Sequence, residues 1–88
     1  IKETEERYRN AIGYLFNMGD EKQALVEMQA AVEASPDHPA ALFLLGKQLL
    51  RLGRVEEAAR YLESCARLSP RTTSEVEPFL VLVGQLRH

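Results

Sequence analysis

Apolar residues between Pro39 and Pro70 recur at three- and four-residue steps, in two successive segments. Such spacing places side chains along one face of an α-helix. In the first segment these residues are Leu42, Leu45, Leu49 and Leu52, and in the second they are Ala58, Leu62, Cys65 and Ala66. Gly53 separates the segments, and a residue without a Cβ can take the left-handed conformation that closes a helix. The pattern predicts two antiparallel helices joined by a tight turn.

This unit occurs twice, and one constant offset relates every matched position of the two copies. The identical residues are Leu15, Gly19, Ala24, Ser35 and Pro36 in the first copy and Leu49, Gly53, Ala58, Ser69 and Pro70 in the second. Other core positions keep their character, with Tyr8, Phe16, Met28 and Ala31 matching Leu42, Leu50, Leu62 and Cys65. A period of about 34 with this set of residues resembles the tetratricopeptide repeat. The resemblance covers residues 5–72 and implies an all-α fold, a right-handed superhelical stack of about five helices in antiparallel pairs.

Two features depart from the repeat pattern. Where the family has a small residue, the second copy has Gly46 but the first has Ile12, followed by Gly13. A bulky residue there pushes the paired helices apart unless the first helix is rotated slightly. Neither copy has the usual Trp, which is replaced by Tyr8 and Leu42.

We expect one domain over residues 1–88, with repeats at about 5–38 and 39–72 and a final helix or partial third repeat at about 74–87. The first helix is predicted over residues 2–18, the second from a cap at Asp20 to Ala34, and the third from Pro39. Repeat proteins usually need about three repeats to bury a continuous core. We therefore expect this chain to be part of a longer polypeptide.

The final helix is predicted to follow a polar link, residues 71–74, with Ser74 and Glu77 as its capping box. Its apolar residues stand in succession at Phe79, Leu80, Val81, Leu82 and Val83. Strict stepping by one repeat length matches Phe79 with Leu45, whereas a longer link matches Gly84 with Gly46, and the sequence leaves both open. Five consecutive apolar residues cannot share one face, so we expect some of them to meet another helix, another domain or a second copy.

Charge and composition limit the classes of partner that we expect for this chain. The net charge is -2, and Lys and Arg number 4 against 8 Asp and Glu in residues 1–38, but 7 against 5 in residues 39–88. This balance argues against nucleic-acid binding, including the base-per-repeat RNA recognition of related helical repeats. One cysteine forms no internal disulfide, and no signal peptide or apolar run of about 20 residues is present. We expect no membrane insertion and favour a cytoplasmic location.

Candidate catalytic groups are sparse. His38 lies in a predicted linker and His88 at the last position, and neither has a second ligand at the spacing of a zinc site. Cys65 takes a core position and is expected to be a small buried apolar group. The glycines stand singly, without the spacing of a phosphate-binding loop. We expect no metal, no cofactor and no enzymatic activity.

The resemblance implies a protein or peptide partner held in the concave groove, which the first helix of each repeat lines. In the first copy the implied positions are Glu6, Arg9, Asn10, Gly13, Phe16 and Asn17, and in the second they are Ala40, Phe43, Leu44, Lys47, Leu50 and Arg51. The family's clamp for chaperone C-terminal carboxylates is not expected, because Gly13 and Leu44 stand where it requires Asn.

Two other interpretations remain open. Phe43, Leu44 and Leu50 are equally well explained by packing on the last helix or on a missing repeat. The apolar segment Phe79 to Val83 also favours self-association into a homodimer or docking on another domain of the same polypeptide.

Overall fold

The computed structural model describes residues 1–87. In this range the chain forms five α-helices and one π-helical turn. They are α1 (Lys2–Ile12), the π-helical turn (Gly13–Asn17), α2 (Glu21–Ala34), α3 (Pro39–Arg51), α4 (Val55–Ala66) and α5 (Pro70–Leu86). The helices group into two compact units, Ile1–Pro36 and residues 37–87.

In the first unit, α1 and α2 pack as an antiparallel hairpin. The hydroxyl of Thr4, near the start of α1, is hydrogen-bonded to that of Ser35, which ends α2. The buried apolar residues are Ala11, Ala24, Met28, Ala31 and Val32. Asp20 caps α2 as predicted, since its side chain accepts a hydrogen bond of 3.0 Å from the backbone N–H of Gln23.

In the second unit, α4 packs against both α3 and α5. The Cys65 thiol near the end of α4 donates to the Pro39 carbonyl at the start of α3, at 3.5 Å. The end of α5 reaches the start of α4, where Arg87 Nε donates to Glu56 Oε2 at 2.9 Å. Both neighbours of α4 are therefore antiparallel to it. The buried apolar residues are Ala41, Leu42, Leu45, Leu49, Ala58, Ala59, Leu62, Cys65, Val76 and Val83.

The predicted all-α class with antiparallel helix pairs is confirmed. Pro39 opens α3, and Gly19 and Gly53 have φ values of 65° and 79°, the left-handed conformation expected of glycines that close helices. The right-handed superhelical arrangement of the pairs stays a prediction.

The first helix differs from its prediction in the last turn. Instead of one α-helix over residues 2–18, α1 ends at Ile12 and residues 13–17 form the π-helical turn. Leu52, predicted on the apolar stripe of its segment, is 45% exposed, and its counterpart Met18 in the first copy is 70% exposed. Both residues directly follow the last helical residue of their segment. The buried apolar stripe therefore ends one helical turn earlier than the spacing indicates.

The prediction for the start of the last helix was wrong. Residues 71–74 are helical, and α5 begins at Pro70 with Ser69 as its cap rather than Ser74. The Ser69 hydroxyl accepts from the Thr72 N–H at 3.2 Å, and Thr72 Oγ1 accepts from the Ser69 N–H at 3.0 Å. This reciprocal pair and a proline at the first helical position both favour a helix start here.

The burial of α5 favours strict stepping by one repeat length. Val76 and Val83 are both buried, and strict stepping matches them with Leu42 and Leu49, which are also buried. The longer link that would match Gly84 with Gly46 is absent, because the helix follows Ser69 directly.

Candidate functional site

Helix α3 has two distinct sides. Its buried side consists of Ala41, Leu42, Leu45, Gly46, Gln48 and Leu49. Its other side, called here the α3 face, consists of Ala40, Phe43, Leu44, Lys47, Leu50 and Arg51, all half-buried or exposed. At 3.6 residues per turn these six positions form one continuous strip. They are also the six groove positions that the resemblance implies for the second repeat.

Phe43 lies at the centre of the α3 face and contacts two side chains. Its ring meets the ring of Phe79 on α5 edge to face, with centroids 5.3 Å apart and an interplanar angle of 83°. Lys47 Nζ lies 4.3 Å from the centroid of the Phe43 ring, a cation–π contact. Phe43 thus packs on the last helix, as the alternative interpretation expected, and also holds the ammonium group of Lys47 in place.

Gly46 fixes the distance between α3 and α4. A Cβ at this position would lie 2.6 Å from Leu62 Cδ2, closer than carbon atoms approach without displacement. The absence of a side chain therefore lets Leu62 pack directly on the α3 backbone. This close contact buries one side of α3.

The predicted groove positions of the first copy divide between α1 and the π-helical turn. Glu6, Arg9 and Asn10 lie on α1 and are exposed. Gly13, Phe16 and Asn17 lie in the π-helical turn. The Phe16 side chain is 71% exposed, whereas its counterpart Leu50 is half-buried.

A buried carboxylate that we did not predict lies between α1 and α2. Glu27 is 6% exposed, and its oxygens accept hydrogen bonds from Arg7 Nη1 at 2.8 Å and from Asn10 Nδ2 at 3.3 Å. The hydrogen bond to Glu27 raises the pKa of the Arg7 guanidinium above its usual value. Asn10, a predicted groove residue, is thus tied to its own hairpin.

A sequence signal for this carboxylate did exist. Glu27 stands three residues after Ala24 and four before Ala31, both on the apolar stripe of α2. A charged residue on an apolar stripe requires a partner from the facing helix.

The apolar segment of α5 is only partly exposed. Val83 is 2% exposed and belongs to the core, and Phe79 and Leu80 are half-buried. Val81 and Leu82 are 56% and 39% exposed. Of the five residues predicted for self-association, these two have the greatest exposure.

Cys65 and His38 both contribute to the fold, one as a buried side chain and the other as a helix cap. Cys65 is buried, as expected, and burial raises the pKa of its thiol. His38 lies in the linker, as predicted, and caps α3, where its Nδ1 accepts a hydrogen bond of 3.1 Å from the Ala41 N–H. His88 lies outside the described residues. Within residues 1–87, no three His, Cys, Asp or Glu side chains are grouped to hold a metal ion.

Comparison with known families identifies the repeat. The family model described as Tetratricopeptide repeat matches residues 15–76, more than two thirds of the chain. The chain belongs to the tetratricopeptide repeat family. Tetratricopeptide repeats are generally protein-interaction modules and are typically non-catalytic scaffolds. No curated protein matches the sequence. In the part of this tetratricopeptide repeat chain that the structure covers, every helix is too short or too polar to cross a bilayer.

Proposed function

We propose that this chain is a non-catalytic protein-interaction module that binds a peptide or helix of a partner protein along α3, the first helix of its second repeat. The α3 face carries the proposal. Its six residues lie outside the core of their unit, and they combine the apolar side chains of Leu44 and Leu50 with the positioned ammonium of Lys47. An apolar contact bordered by a few oriented polar groups is typical of surfaces that bind peptides.

Selection and calorimetry test this proposal. A phage-displayed library of random peptides is panned against the whole chain, and the affinity of the selected peptides is measured by isothermal titration calorimetry. The double variant Leu44→Gln, Leu50→Gln removes apolar contact from the α3 face. We expect it to weaken binding at least about tenfold, equivalent to about 1.4 kcal/mol.

The matched control is Leu52→Gln, because Leu52 is 45% exposed at the end of the same helix but lies off the α3 face. Phe43 is not used, since its packing on Phe79 would mix a loss of stability with a loss of binding. Circular dichroism checks that each variant keeps its helices. The proposal is contradicted if the double variant and Leu52→Gln lose the same affinity for the peptides. It is also contradicted if the double variant loses its helicity together with its binding.

A second candidate is self-association or intramolecular docking through α5. Val81 and Leu82 of the predicted segment are 56% and 39% exposed, and Leu86 near the end of the same helix is 49% exposed, so α5 carries apolar side chains that a second copy or another domain could cover. Size-exclusion chromatography with light scattering over a range of concentrations tests self-association, with Val81→Glu as the disrupting variant. A monomer at every concentration contradicts self-association.

A further inference from the structure

The charges of the groove positions differ from those of the chain as a whole. The chain has 11 Lys and Arg against 13 Asp and Glu. Among the six positions of the α3 face, the cations are Lys47 and Arg51, and no residue is acidic. The proposed binding positions are therefore basic in a chain that is acidic overall. Such a difference favours partners of negative charge.

The ammonium group of Lys47 is positioned by a contact within the α3 face. It lies over the Phe43 ring, and it carries three N–H donors, of which the ring face occupies only one side. Several carboxylates of the same unit bind other cations: Glu57 binds Arg54, Glu75 binds Arg71 and Glu56 binds Arg87. An ammonium already held on an aromatic ring loses less freedom when a carboxylate binds to it.

We infer that the bound segment is acidic and amphipathic, with a carboxylate opposite Lys47 and an apolar side chain against Leu44 and Leu50. This inference rests on the proposed function and adds the chemistry of the partner. The carboxylate belongs to an Asp or Glu side chain within the segment, because an internal side chain can reach Lys47 while its apolar neighbours contact the leucines.

Three short fluorescein-labelled peptides of equal length test the inference. The first has Glu and Leu three or four residues apart, so that both side chains lie on the same side of a helix and can face α3 together. The second has Gln in place of Glu, and the third has Lys in place of Glu. Both ends of each peptide are blocked, which removes the terminal carboxylate. By fluorescence polarisation, we expect the Glu peptide to bind at least about tenfold more tightly than the Gln peptide at low salt. This advantage shrinks as salt screens the charges.

Charge reversal on the protein provides the second test. Lys47→Glu is expected to abolish the preference for the Glu peptide and to favour the Lys peptide. The matched control is Arg71→Glu, which makes the same change of net charge at an 87% exposed side chain on α5. We expect this control to keep the preference for the Glu peptide. Equal effects of the two variants indicate attraction by net charge alone and overturn the inference.

The outcomes separate the inference from the proposed function. If the Gln peptide binds as tightly as the Glu peptide, or if the panned peptides lack Asp and Glu but still require Leu44 and Leu50, the inference fails and the proposed function stands. If neither the three peptides nor the library yields a ligand, both fail. Selected peptides rich in Asp and Glu whose affinity depends on Lys47 support both.

Discussion

The two hairpins of this chain, α1–α2 and α3–α4, share one repeat pattern but differ at the middle of their first helices. In the second hairpin, Gly46 lets α3 approach Leu62 directly. In the first, the same position is Ile12, and the helix changes from α to π at the next residue. A Cβ on Gly13 would meet nothing within 4 Å, so the backbone has room there. We interpret the π-helical turn as the way in which the first hairpin accommodates a large residue at the crossing.

The ends of the two helices show how this turn fits the repeat. In the second hairpin, the Arg54 N–H donates to the Leu49 carbonyl, five residues earlier. In the first, the Asp20 N–H donates to the Tyr14 carbonyl, six residues earlier. The hydrogen bond that closes the first helix therefore spans one more residue than its counterpart, which is consistent with a π-helical turn. Gly19 still closes the helix in the left-handed conformation. The two repeats therefore have the same length, but the side chains of their last helical turns differ in exposure. Phe16 of the first repeat is exposed, whereas its counterpart Leu50 is half-buried.

The hairpins also differ in what lies between their helices. Glu27 of the first hairpin binds Arg7 and Asn10 across the hairpin. The equivalent residues of the second hairpin are Tyr61, Ala41 and Leu44. The first pair of helices is held partly by a buried charge and the second by apolar packing, so equivalent positions in the two copies have different roles.

The largest expected effect on the free energy of unfolding comes from exchanging Gly46 and Ile12, the residues at the points where the paired helices cross. Gly46→Ile is expected to lower the free energy of unfolding by about 3 kcal/mol, because its side chain overlaps Leu62. The reciprocal change Ile12→Gly is expected to cost less, about 1 kcal/mol from the glycine itself plus the contacts of a half-buried side chain. Urea denaturation followed by circular dichroism measures both. Equal costs would contradict the difference between the two crossings.

Removing the buried carboxylate tests the first hairpin. Glu27→Ala leaves Arg7 and Asn10 without their acceptor and is expected to cost about 1–3 kcal/mol. The control Glu33→Ala removes a glutamate from the exposed side of the same helix and is expected to stay within about 0.5 kcal/mol. Similar urea midpoints for the two variants would mean that the cluster contributes little.

The helix caps provide a smaller contrast. Asp20→Ala removes the acceptor for the Gln23 N–H and is expected to cost about 1 kcal/mol. The equivalent change in the second hairpin, Arg54→Ala, removes an exposed ion pair with Glu57 and is expected to leave the thermal midpoint nearly unchanged. A larger fall in the thermal midpoint for Arg54→Ala than for Asp20→Ala would contradict this difference between the hairpins.

Acidification is expected to have the smallest effect, through two glutamates of the second unit. Hydrogen bonds from Arg87 and Arg54 lower the pKa values of Glu56 and Glu57. Because the folded pKa values are the lower ones, the stabilisation is present above the usual glutamate pKa of about 4.3 and is lost as the pH falls through the folded values. Thermal midpoints measured from neutral to acidic pH, compared with those of Arg87→Ala, test this. An identical pH profile in Arg87→Ala would exclude a role for the Glu56 pair.

The helix pattern was well predicted wherever one local signal governed the outcome. Pro39 and Asp20 begin helices, and Gly19 and Gly53 end them, because each residue's own backbone or side chain suits that role. The start of α5 was missed because two cap signals competed. Ser74 with Glu77 matched the familiar pair, but Ser69 with Thr72 and Pro70 formed the cap.

For the candidate site, the resemblance to the tetratricopeptide repeat implied the six positions of the α3 face, and helical periodicity places them apart from the buried side. Spacing did not give the contacts of those positions. The packing of Phe43 on Phe79 joins α3 to α5, and the pairing of Arg7 with Glu27 joins α1 to α2. Contacts of this kind depend on how the helices dock, which no local pattern specifies.

By itself, the sequence determined the helices, their pairing and the family, because the repeat periodicity and the turn residues act locally and recur in each copy. Tertiary structure alone decided that Ile12 is followed by a π-helical turn, that Glu27 is buried with Arg7, and that Val83 lies in the core while Val81 remains exposed. The physical reason is steric and electrostatic. The space and the partners available to a side chain are set by the facing helix, and they become defined only when the two helices pack.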